Sequence, residues 1–359
     1  MDMRVLDNQY LGLGLQLVEL EQVIAPSVAA ELPKELAKKC PKYAETPLVR
    51  ADTIAEEFGV ASAWLKDERT RMGLGSFKAL GAAYVIANQA NQANVTNTEQ
   101  FDTLLVGHTY ATASAGNHGL SVAAGARIFG ARAVIFLADP VPEAFAERLR
   151  GMGAQVERTG ANYEESMAAA QLAAEQNSWT LLSDASWAGY TELPHRLMEG
   201  YLLMAAEITD QLTQPPTHIF LQAGVGGMAA ALAAYFRKIW GEGPRVIIVE
   251  PEAAPALLES IQAGKPVVTT GPVSNMGRLD CKGPSLIALK GLARDANQFM
   301  TISDEQGEQV LNVLRKAGIE TTPSGGAGVA ALVFGAARPE LGLNSGSRVL
   351  AIISEEALA

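Results

Sequence analysis

Residues 218–228 read His218-Ile219-Phe220-Leu221-Gln222-Ala223-Gly224-Val225-Gly226-Gly227-Met228, and an alanine-rich run follows them. A short, continuously apolar run that leads through a glycine turn into a helix is typical of a strand in a buried parallel sheet. Glycines let backbone N–H groups approach an anion, and the positive end of the helix dipole favours negative charge. The stretch therefore predicts an α/β fold with a phosphate-sized anion site at this turn.

The same alternation of strand and helix patterns recurs along the chain. Strands are predicted at residues 63–66, 103–106, 131–137, 155–158, 180–182, 245–250 and 348–354. Helices are predicted after residue 78, from residue 120, from Pro142 and from Asn162, and the polar stretch 88–100, which includes Glu99, is predicted to be a loop. Apolar strands between helices indicate parallel sheets covered on both faces. The expected class is α/β with doubly wound sheets.

Composition limits the possible functions. The chain has 359 residues, which favours two domains that share a cleft, and a formal net charge of -11, which disfavours nucleic acid and anionic membranes as partners. Cys40 and Cys281 are far apart and no Cys/His cluster occurs, so we expect buried thiols and no metal site. The amino-terminal residues lack a signal pattern and no apolar run is long enough to span a bilayer, so the expected location is cytoplasmic.

Ser76-Phe77-Lys78 places a lysine between a glycine-flanked loop and a run of helix formers. An ammonium between an aromatic residue and an apolar run loses solvation, which predicts a lowered pKa. A partly neutral amine can form a Schiff base. Lys78 is therefore a candidate catalytic lysine, although a solvated surface charge is the commoner role for a lone lysine.

A second loop reads Thr112-Ala113-Ser114-Ala115-Gly116-Asn117-His118-Gly119. Its small residues and the helix that follows suit the binding of a carboxylate, and Ser114 and Asn117 add side-chain donors. An ordinary turn with serine as the helix cap explains the pattern equally well. His118 alone is more typical of a structural histidine than of an acid or base.

The glycine loop also matches a dinucleotide fingerprint. Gly224-x-Gly226-x-x-Ala229 has the required spacing, and Glu250 ends the next strand about where a ribose ligand is expected. An NAD-dependent oxidoreductase is therefore an alternative. That alternative gives no role to the lysine segment or to the second loop, and several βα units precede the fingerprint.

Taken in order, Ser76-Phe77-Lys78, the loop 114–119 and the loop 224–227 resemble the fold type II pyridoxal-phosphate enzymes, the tryptophan synthase β-like group that includes serine and threonine dehydratases. Thr46-Pro47-Leu48 also fits that pattern, and the resemblance covers about residues 43–354. It implies two doubly wound parallel-sheet domains with pyridoxal 5'-phosphate in the cleft. The larger domain would comprise residues 1–82 and 188–359, and the smaller, inserted domain residues 83–187.

The resemblance also implies roles for individual residues. Lys78 would hold the cofactor as a Schiff base and then remove the α-proton, and Phe77 would wall the ring. Asn117 would contact the phenolic oxygen of the cofactor. The substrate carboxylate would lie on Ser114, Ala115, Gly116, Asn117 and His118, and the phosphate on Gly224, Val225, Gly226, Gly227 and Met228.

Ser354 matches the hydroxyl residue that faces the pyridine nitrogen in this group. A hydroxyl does not stabilise a protonated ring, so the ring is a weaker electron sink, which favours prompt loss of a β-leaving group. A solvent-facing strand end is the alternative role for Ser354.

Within the group the chain is most similar to the diaminopropionate ammonia-lyases. The stretches that carry this similarity are Asp184-Ala185-Ser186-Trp187-Ala188-Gly189-Tyr190, residues 216–218, residues 222–226 and Met276-Gly277-Arg278-Leu279-Asp280-Cys281. Asp184, beside an aromatic residue, is expected to have a raised pKa and to act as an acid toward the leaving group, unless it only caps the turn. Trp187 and Tyr190 are expected to be packing residues.

Two positions depart from that similarity. The ammonia-lyases carry an aspartate, assigned to the D-isomer, where this chain has Ala115, and residues 322–326 lack the acidic residue of a late glycine-rich loop.

We therefore expect α,β-elimination from a small β-substituted L-amino acid. The most favoured substrate is 2,3-diaminopropionate, which would give pyruvate and ammonia; serine, threonine or another 3-hydroxy amino acid is the alternative. A catalytically silent amino-acid sensor is disfavoured because the lysine and both anion loops are intact. The group also implies a homodimer.

Overall fold

The computed structural model describes residues 3–94 and 100–357. Within these ranges the strands are β1 (Val5–Asp7), β2 (Leu48–Arg50), β3 (Ser62–Asp67), β4 (Thr109–Ala113), β5 (Arg132–Leu137), β6 (Gln155–Arg158), β7 (Thr180–Leu181), β8 (His218–Gln222), β9 (Arg245–Pro251), β10 (Gln298–Ile302) and β11 (Arg348–Ile353). The helices are α1 (Val18–Glu21), α2 (Glu31–Lys38), α3 (Asp52–Glu57), α4 (Gly81–Ala93), α5 (Asn117–Ile128), α6 (Glu143–Gly151), α7 (Tyr163–Asn177), α8 (Glu192–Gln211), α9 (Gly227–Trp240), α10 (Ala256–Ala263), α11 (Leu286–Asp295), α12 (Asp304–Lys316) and α13 (Pro323–Gly335).

The strands form two sheets. The larger has the order β1-β10-β9-β8-β11-β3-β2, and the smaller has the order β6-β5-β4-β7. All pairings in the smaller sheet are parallel, and in the larger sheet only the edge strands β1 and β2 run antiparallel to their neighbours. The strand order crosses between non-consecutive strands, which requires helical connections on both faces. The predicted α/β class with parallel, doubly wound sheets is confirmed.

One hydrophobic core joins the two sheets. Its buried side chains come from β5 of the smaller sheet and β8 of the larger, and from α4, α5, α8 and α9 between and around them. Helix α8 is buried from Leu197 to Ile208 at almost every position, and α9 from Gly227 to Phe236. Both helices are buried on every side over these ranges, so they lie in the interior and hold the two sheets together.

Two local predictions are wrong. Residues 103–106 are not a strand but part of turns that follow a 3₁₀ segment, because Gly107 turns the chain at φ 91° and β4 begins only at Thr109. The predicted loop 88–100 is helical up to Ala93, because Asn88 and Ala90 are buried on α4. Glu99 and its neighbours from 95 onward lie outside the described residues.

No helix in the described ranges is long and apolar enough to cross a membrane. Cys40 and Cys281 are both free thiols, as predicted, but each is half-buried rather than buried. Residues 3–94 and 100–357 contain no group of three or more His, Cys, Asp or Glu side chains that could hold a metal ion.

Candidate active site

Five of the predicted segments meet at the carboxyl ends of parallel strands. The loop 114–116 follows β4, Asp184 follows β7, the glycine loop follows β8 and Ser354 follows β11. The lysine segment lies against them as a 3₁₀ turn, Phe77–Leu80, that runs directly into α4. Ligands of open α/β sheets bind at this edge, so the fold brings the predicted residues to one place.

The lysine segment is fixed by both of its ends. Ser76 caps the 3₁₀ turn, since its hydroxyl accepts a hydrogen bond from the Lys78 N–H at 3.3 Å. The Phe77 N–H donates to the Ser354 carbonyl at 3.1 Å, and the Glu356 N–H donates to the Gly75 carbonyl at 2.9 Å. Gly75 has φ 75°, which favours glycine, and a Cβ there would collide with Glu356. The strand β11 therefore holds the backbone that carries Lys78.

Lys78 and Asp184 form an ion pair inside the cleft. The Lys78 Nζ donates to Asp184 Oδ2 at 2.5 Å, and the two side chains are only 23% and 20% exposed. Burial acts to lower the pKa of Lys78, but the facing Asp184 carboxylate outweighs burial and holds that pKa above its usual value. The predicted lowering of the Lys78 pKa is therefore wrong for this arrangement, because the sequence pattern does not reveal the carboxylate.

The ion pair also makes the predicted raised pKa of Asp184 wrong. Burial acts to raise the pKa of Asp184, but the charge and hydrogen bond of Lys78 outweigh burial and hold that pKa well below its usual range. Asp184 is therefore a carboxylate at neutral pH, and it is no acid of its own. Trp187 stacks on Tyr190 with ring centroids 4.3 Å apart, and the Tyr190 hydroxyl bonds the backbone of Leu181 and Ser183. These two aromatic residues pack the turn, as predicted.

The loop 114–119 presents an uncapped helix start. Gly116 precedes α5, and among the described residues no side chain caps the first turn of this helix. A Cβ on Gly119 would lie 2.3 Å from the Ser114 carbonyl oxygen, so glycine is required there for the tight turn. Ser114 and Ala115 are half-buried at the rim of the cleft. The free N–H groups make this loop suitable for an anion.

His118 is buried beneath this loop. Its Nε2 lies 2.8 Å from the Leu182 carbonyl oxygen, and its Nδ1 has no partner among the described residues. Burial lowers the pKa of His118, so the ring is neutral. Because a carbonyl only accepts hydrogen bonds, the proton is assigned to Nε2. The ring therefore anchors the loop to the strand end before Asp184.

The glycine loop forms a second anion cradle. Gly226 has φ 93° and precedes α9 with no side-chain cap. A Cβ on Gly224 would lie 2.9 Å from Cys281 Sγ, so glycine lets the segment 278–281 approach. Val225 accepts a hydrogen bond from the Ser285 N–H at 3.0 Å, and Met228 is buried on the first turn of α9. These contacts fix the loop and leave the amino-terminal N–H groups of α9 free of side-chain caps.

Glu250 does not serve as a ribose ligand. Its two carboxylate oxygens accept hydrogen bonds from the Leu257 and Leu258 N–H groups, each at 2.8 Å, and its side chain is fully buried. Glu250 therefore accepts hydrogen bonds from N–H groups in the first turn of α10 that have no partner within the helix. The acidic residue at the spacing of a dinucleotide fingerprint has a structural task, which removes the main support for NAD.

Ser354 is buried at the end of β11, so it is not a solvent-facing strand end. Its N–H donates to the Gly325 carbonyl at 3.2 Å and its carbonyl accepts from Phe77. Among the described residues no group bonds its hydroxyl, which leaves that hydroxyl available to a ligand. Beside Lys78, Phe77 makes an edge-to-face contact with Tyr201, with ring centroids 5.1 Å apart.

Sequence reasoning missed four residues of the site. Tyr201 packs on Phe77, Cys281 lies against Gly224, and Arg278 and Glu355 lie beside the loop 114–119. The side-chain amide of Asn117 donates a hydrogen bond from Nδ2 to the Glu355 carboxylate at 2.5 Å, so Glu355 orients this amide. A charged residue directly after an apolar strand was the available signal for Glu355. Tyr201 lies within a long helical pattern and had none.

A buried ion network supports the loop that leads to Lys78. Arg71 donates to Glu68 and Glu207, and Lys66 donates to Glu207 at 2.7 Å. The Thr46 hydroxyl joins the network through Glu68 at 2.6 Å, and Arg71 is completely buried. Burial acts to raise the pKa of Glu207, but the hydrogen bonds and charges of Arg71 and Lys66 hold it below its usual value. The network connects the segment around Thr46, the residues 66–71 that precede the lysine segment, and helix α8.

We expect Glu207→Gln to destabilise the fold by about 3 kcal/mol or more, because it leaves two buried cations short of one carboxylate. Urea unfolding followed by circular dichroism measures the shift of the midpoint. Asp210→Asn on the same helix is the control: Asp210 pairs with Lys34 at the surface, and its loss should cost less than about 1 kcal/mol. Equal midpoints for the two variants would contradict the assignment.

Comparison with known proteins defines the class to which this fold and site belong. Residues 40–355 match the family model described as "Pyridoxal-phosphate dependent enzyme". The match covers most of the chain. The chain belongs to the pyridoxal-phosphate-dependent enzymes, and its fold is that of the fold type II group.

Particular relatives narrow the comparison. A diaminopropionate ammonia-lyase from Salmonella typhimurium is 33% identical over 285 residues, which is 74% of this chain and 70% of that protein. The Escherichia coli diaminopropionate ammonia-lyase is 33% identical over 296 residues, 79% of this chain and 74% of that one. Its crystal structure in complex with D-serine superimposes with a TM-score of 0.87 at 28% identity, covering 99% of this chain and 94% of that chain. A probable D-serine dehydratase from an Acidovorax species is 25% identical over 322 residues, 79% of this chain and 70% of that protein.

The described residues fit pyridoxal phosphate. The cleft holds one lysine amine against a carboxylate, a glycine cradle at the uncapped start of α9 for a phosphate, and the unbonded hydroxyl of Ser354. Phe77 lies beside the amine, with Lys78 Nζ 5.4 Å from its ring centroid. The Lys78 amine thus suits the aldehyde of the cofactor, the glycine loop suits its phosphate, and Phe77 suits its aromatic ring.

Proposed function

We propose that this enzyme catalyses α,β-elimination from 2,3-diaminopropionate, with pyruvate and ammonia as products. The observation that carries the proposal is the Lys78–Asp184 pair, 2.5 Å from Nζ to Oδ2, between two glycine-lined helix starts. The diaminopropionate ammonia-lyases among the relatives support this substrate. Elimination of a β-amine requires a base at the α-carbon and a proton for the departing nitrogen, and the pair supplies both.

The chain's own residues would hold the cofactor as follows. Lys78 would carry it, the N–H groups of residues 224–228 would bind the phosphate, and Phe77 would cover the ring. Asn117, whose amide is oriented by Glu355, would contact the phenolic oxygen, and the Ser354 hydroxyl would serve the ring nitrogen. Bound pyridoxal phosphate supplies the electron sink for the charge left at the α-carbon.

The Lys78–Asp184 pair would carry out the proton transfers. Lys78 is freed as a neutral amine when the substrate amine takes its place, and it would then take the α-proton and become an ammonium, which the facing Asp184 carboxylate stabilises. The contact holds the protonated Nζ against Oδ2, from where Nζ can donate its proton to the leaving amine. The pair, rather than Asp184 as a carboxylic acid, thus acts as the proton relay, because a carboxyl with a lowered pKa carries no proton at neutral pH.

A β-hydroxyl can leave through the same groups, so a dehydratase of serine, threonine or another 3-hydroxy amino acid is the second candidate. The D-serine dehydratase among the relatives favours including it. A screen for keto acid and ammonia release, with L-2,3-diaminopropionate, L-serine and L-threonine compared at equal concentrations, decides between the two.

We also propose the two-domain division predicted from the sequence, residues 1–82 with 188–359 and residues 83–187. It is supported by the smaller sheet, whose strands all come from between Thr109 and Leu181. We further propose a cytoplasmic homodimer with a small amino acid as its substrate. The acidic charge balance and the two free thiols support the location.

The L-isomer should be the better substrate. Ala115 has a methyl group where a carboxylate would be needed to take a proton from the opposite face, so we expect L-2,3-diaminopropionate to exceed the D-isomer by about 100-fold or more in kcat/KM. Steady-state assays with both isomers measure this ratio. Comparable rates for the two isomers in the wild type would refute the stereochemical argument.

Ala115→Asp tests the same position in the opposite direction. It should raise D-activity, whereas Ala115→Asn, of equal size but without a base, should not. Equal D-activity in these two variants would show that position 115 acts through shape alone.

A further inference from the structure

The side chain of Arg278 extends from the segment 276–281 to the loop that begins α5. Its backbone N–H donates to Ser324 Oγ at 3.2 Å, which fixes the start of the side chain. The guanidinium packs against Gly116, where a Cβ would lie 2.7 Å from Arg278 Nη1. Its Cζ lies 5.9 Å from the ring centroid of Phe145 on α6. The cation therefore sits directly beside the loop that begins α5.

The guanidinium has unused donors. Its Nε is 3.5 Å from Glu355 Oε2, and among the described residues neither Nη group has a hydrogen-bond partner. The side chain is 30% exposed, so it is neither fully solvated nor sealed in the interior. A guanidinium presents a planar fork that matches a carboxylate, and here the fork lies beside free N–H groups of a helix start.

Glu355 makes this cation necessary for binding an anion. Its carboxylate is only 5% exposed and accepts hydrogen bonds from Asn117 Nδ2 and Thr322 Oγ1, each at 2.5 Å. A buried negative charge next to the loop 114–118 repels a substrate carboxylate. Arg278 is the cation that faces Glu355 among the described residues, so it offsets that repulsion and leaves its Nη groups for the substrate.

We propose that Arg278 is a specificity-determining residue that binds the α-carboxylate of the substrate, with Glu355 as the positioning residue that orients Arg278 and Asn117. This inference rests on the proposed function, since it assigns the amino-acid end of the same site. It makes selection for a free α-carboxylate a property of one side chain rather than of backbone N–H groups alone.

Binding without turnover tests the assignment. L-alanine has no β-leaving group, and L-alaninamide has the same shape without the carboxylate charge. The holoenzyme is titrated with each, and the visible absorption of the bound cofactor reports occupancy. In Arg278→Gln the apparent Kd for L-alanine should rise roughly 10- to 100-fold, while that for L-alaninamide should change less than about threefold. Arg278→Lys, which keeps the charge but loses the fork, should lie in between.

A double variant separates binding from charge balance. If Arg278 only neutralises Glu355, Arg278→Gln/Glu355→Gln restores the wild-type affinity for L-alanine, and the inference is overturned. If Arg278 binds the carboxylate, the double variant stays weak. Equal weakening of both ligands in Arg278→Gln also overturns it, because that is the signature of a general structural defect. A wild type without a cofactor band would instead refute the proposed function, and with it this inference.

Discussion

Lys78→Ala abolishes the visible absorption band of the holoenzyme and lowers the elimination rate by about 1,000-fold or more. Both effects are expected because Lys78 supplies the only side-chain amine that the described structure places in the cleft against Asp184, and it serves as attachment point and α-proton base. Absorbance scans before and after borohydride treatment measure the first effect. A coupled keto-acid assay measures the second.

The matched control for this variant is Lys34→Ala. Lys34 pairs with Asp210 on the surface, 2.9 Å from Nζ to Oδ2, and its loss should leave band and rate unchanged. If the Lys78→Ala protein kept its band and its rate, the lysine assignment would be wrong.

Asp184→Asn should have opposite effects on two steps. Elimination should slow by about 100- to 10,000-fold because the relay for the leaving amine is lost. Capture of pyridoxal phosphate by the cofactor-free protein at pH 7 should become faster. The reason is the sign of the pKa shift. Burial acts to lower the pKa of Lys78 and Asp184 is the main group that opposes it, so removing the carboxylate lowers that pKa and enlarges the neutral amine fraction. Stopped-flow absorbance across pH 6–10 follows the capture rate.

Asp210→Asn is the control for this second prediction. Asp210 forms a lysine–aspartate pair with Lys34 at the surface, 2.9 Å from Nζ to Oδ2. It should alter neither elimination nor capture by more than about threefold. If Asp184→Asn slowed capture and elimination alike, Asp184 would be a structural residue and no relay.

The sequence predicted β7, β8 and β11 at the cleft because each is a continuous apolar run with a glycine or small-residue turn after it, but it did not predict β4. Residues 218–228 are the clearest case, and β8, its loop and α9 lie as expected. The run 103–106 is equally apolar, but Val106 is 67% exposed and the strand lies beyond Gly107. Apolar content alone does not show which face of a short run will be covered.

The chemistry of the site was harder to predict, because it depends on pairs that are distant in sequence. Lys78 meets Asp184 across 106 positions, and Asn117 meets Glu355 across 238. Burial could be inferred from neighbours in the chain, and it gives a lowered pKa for Lys78 and a raised one for Asp184. The opposite charge reverses both directions, and only the fold brings it within reach.

The attachment of the lysine segment to β11 has a consequence for biosynthesis. Lys78 is made early, whereas the backbone groups that fix it, at Ser354 and Glu356, are made after nearly the whole described chain. A growing polypeptide therefore has the reactive amine but not the rigid frame around it. We therefore expect the cofactor to be captured in its working orientation only after β11 has entered the large sheet, so that completion of this sheet, rather than emergence of the lysine, sets the time of loading.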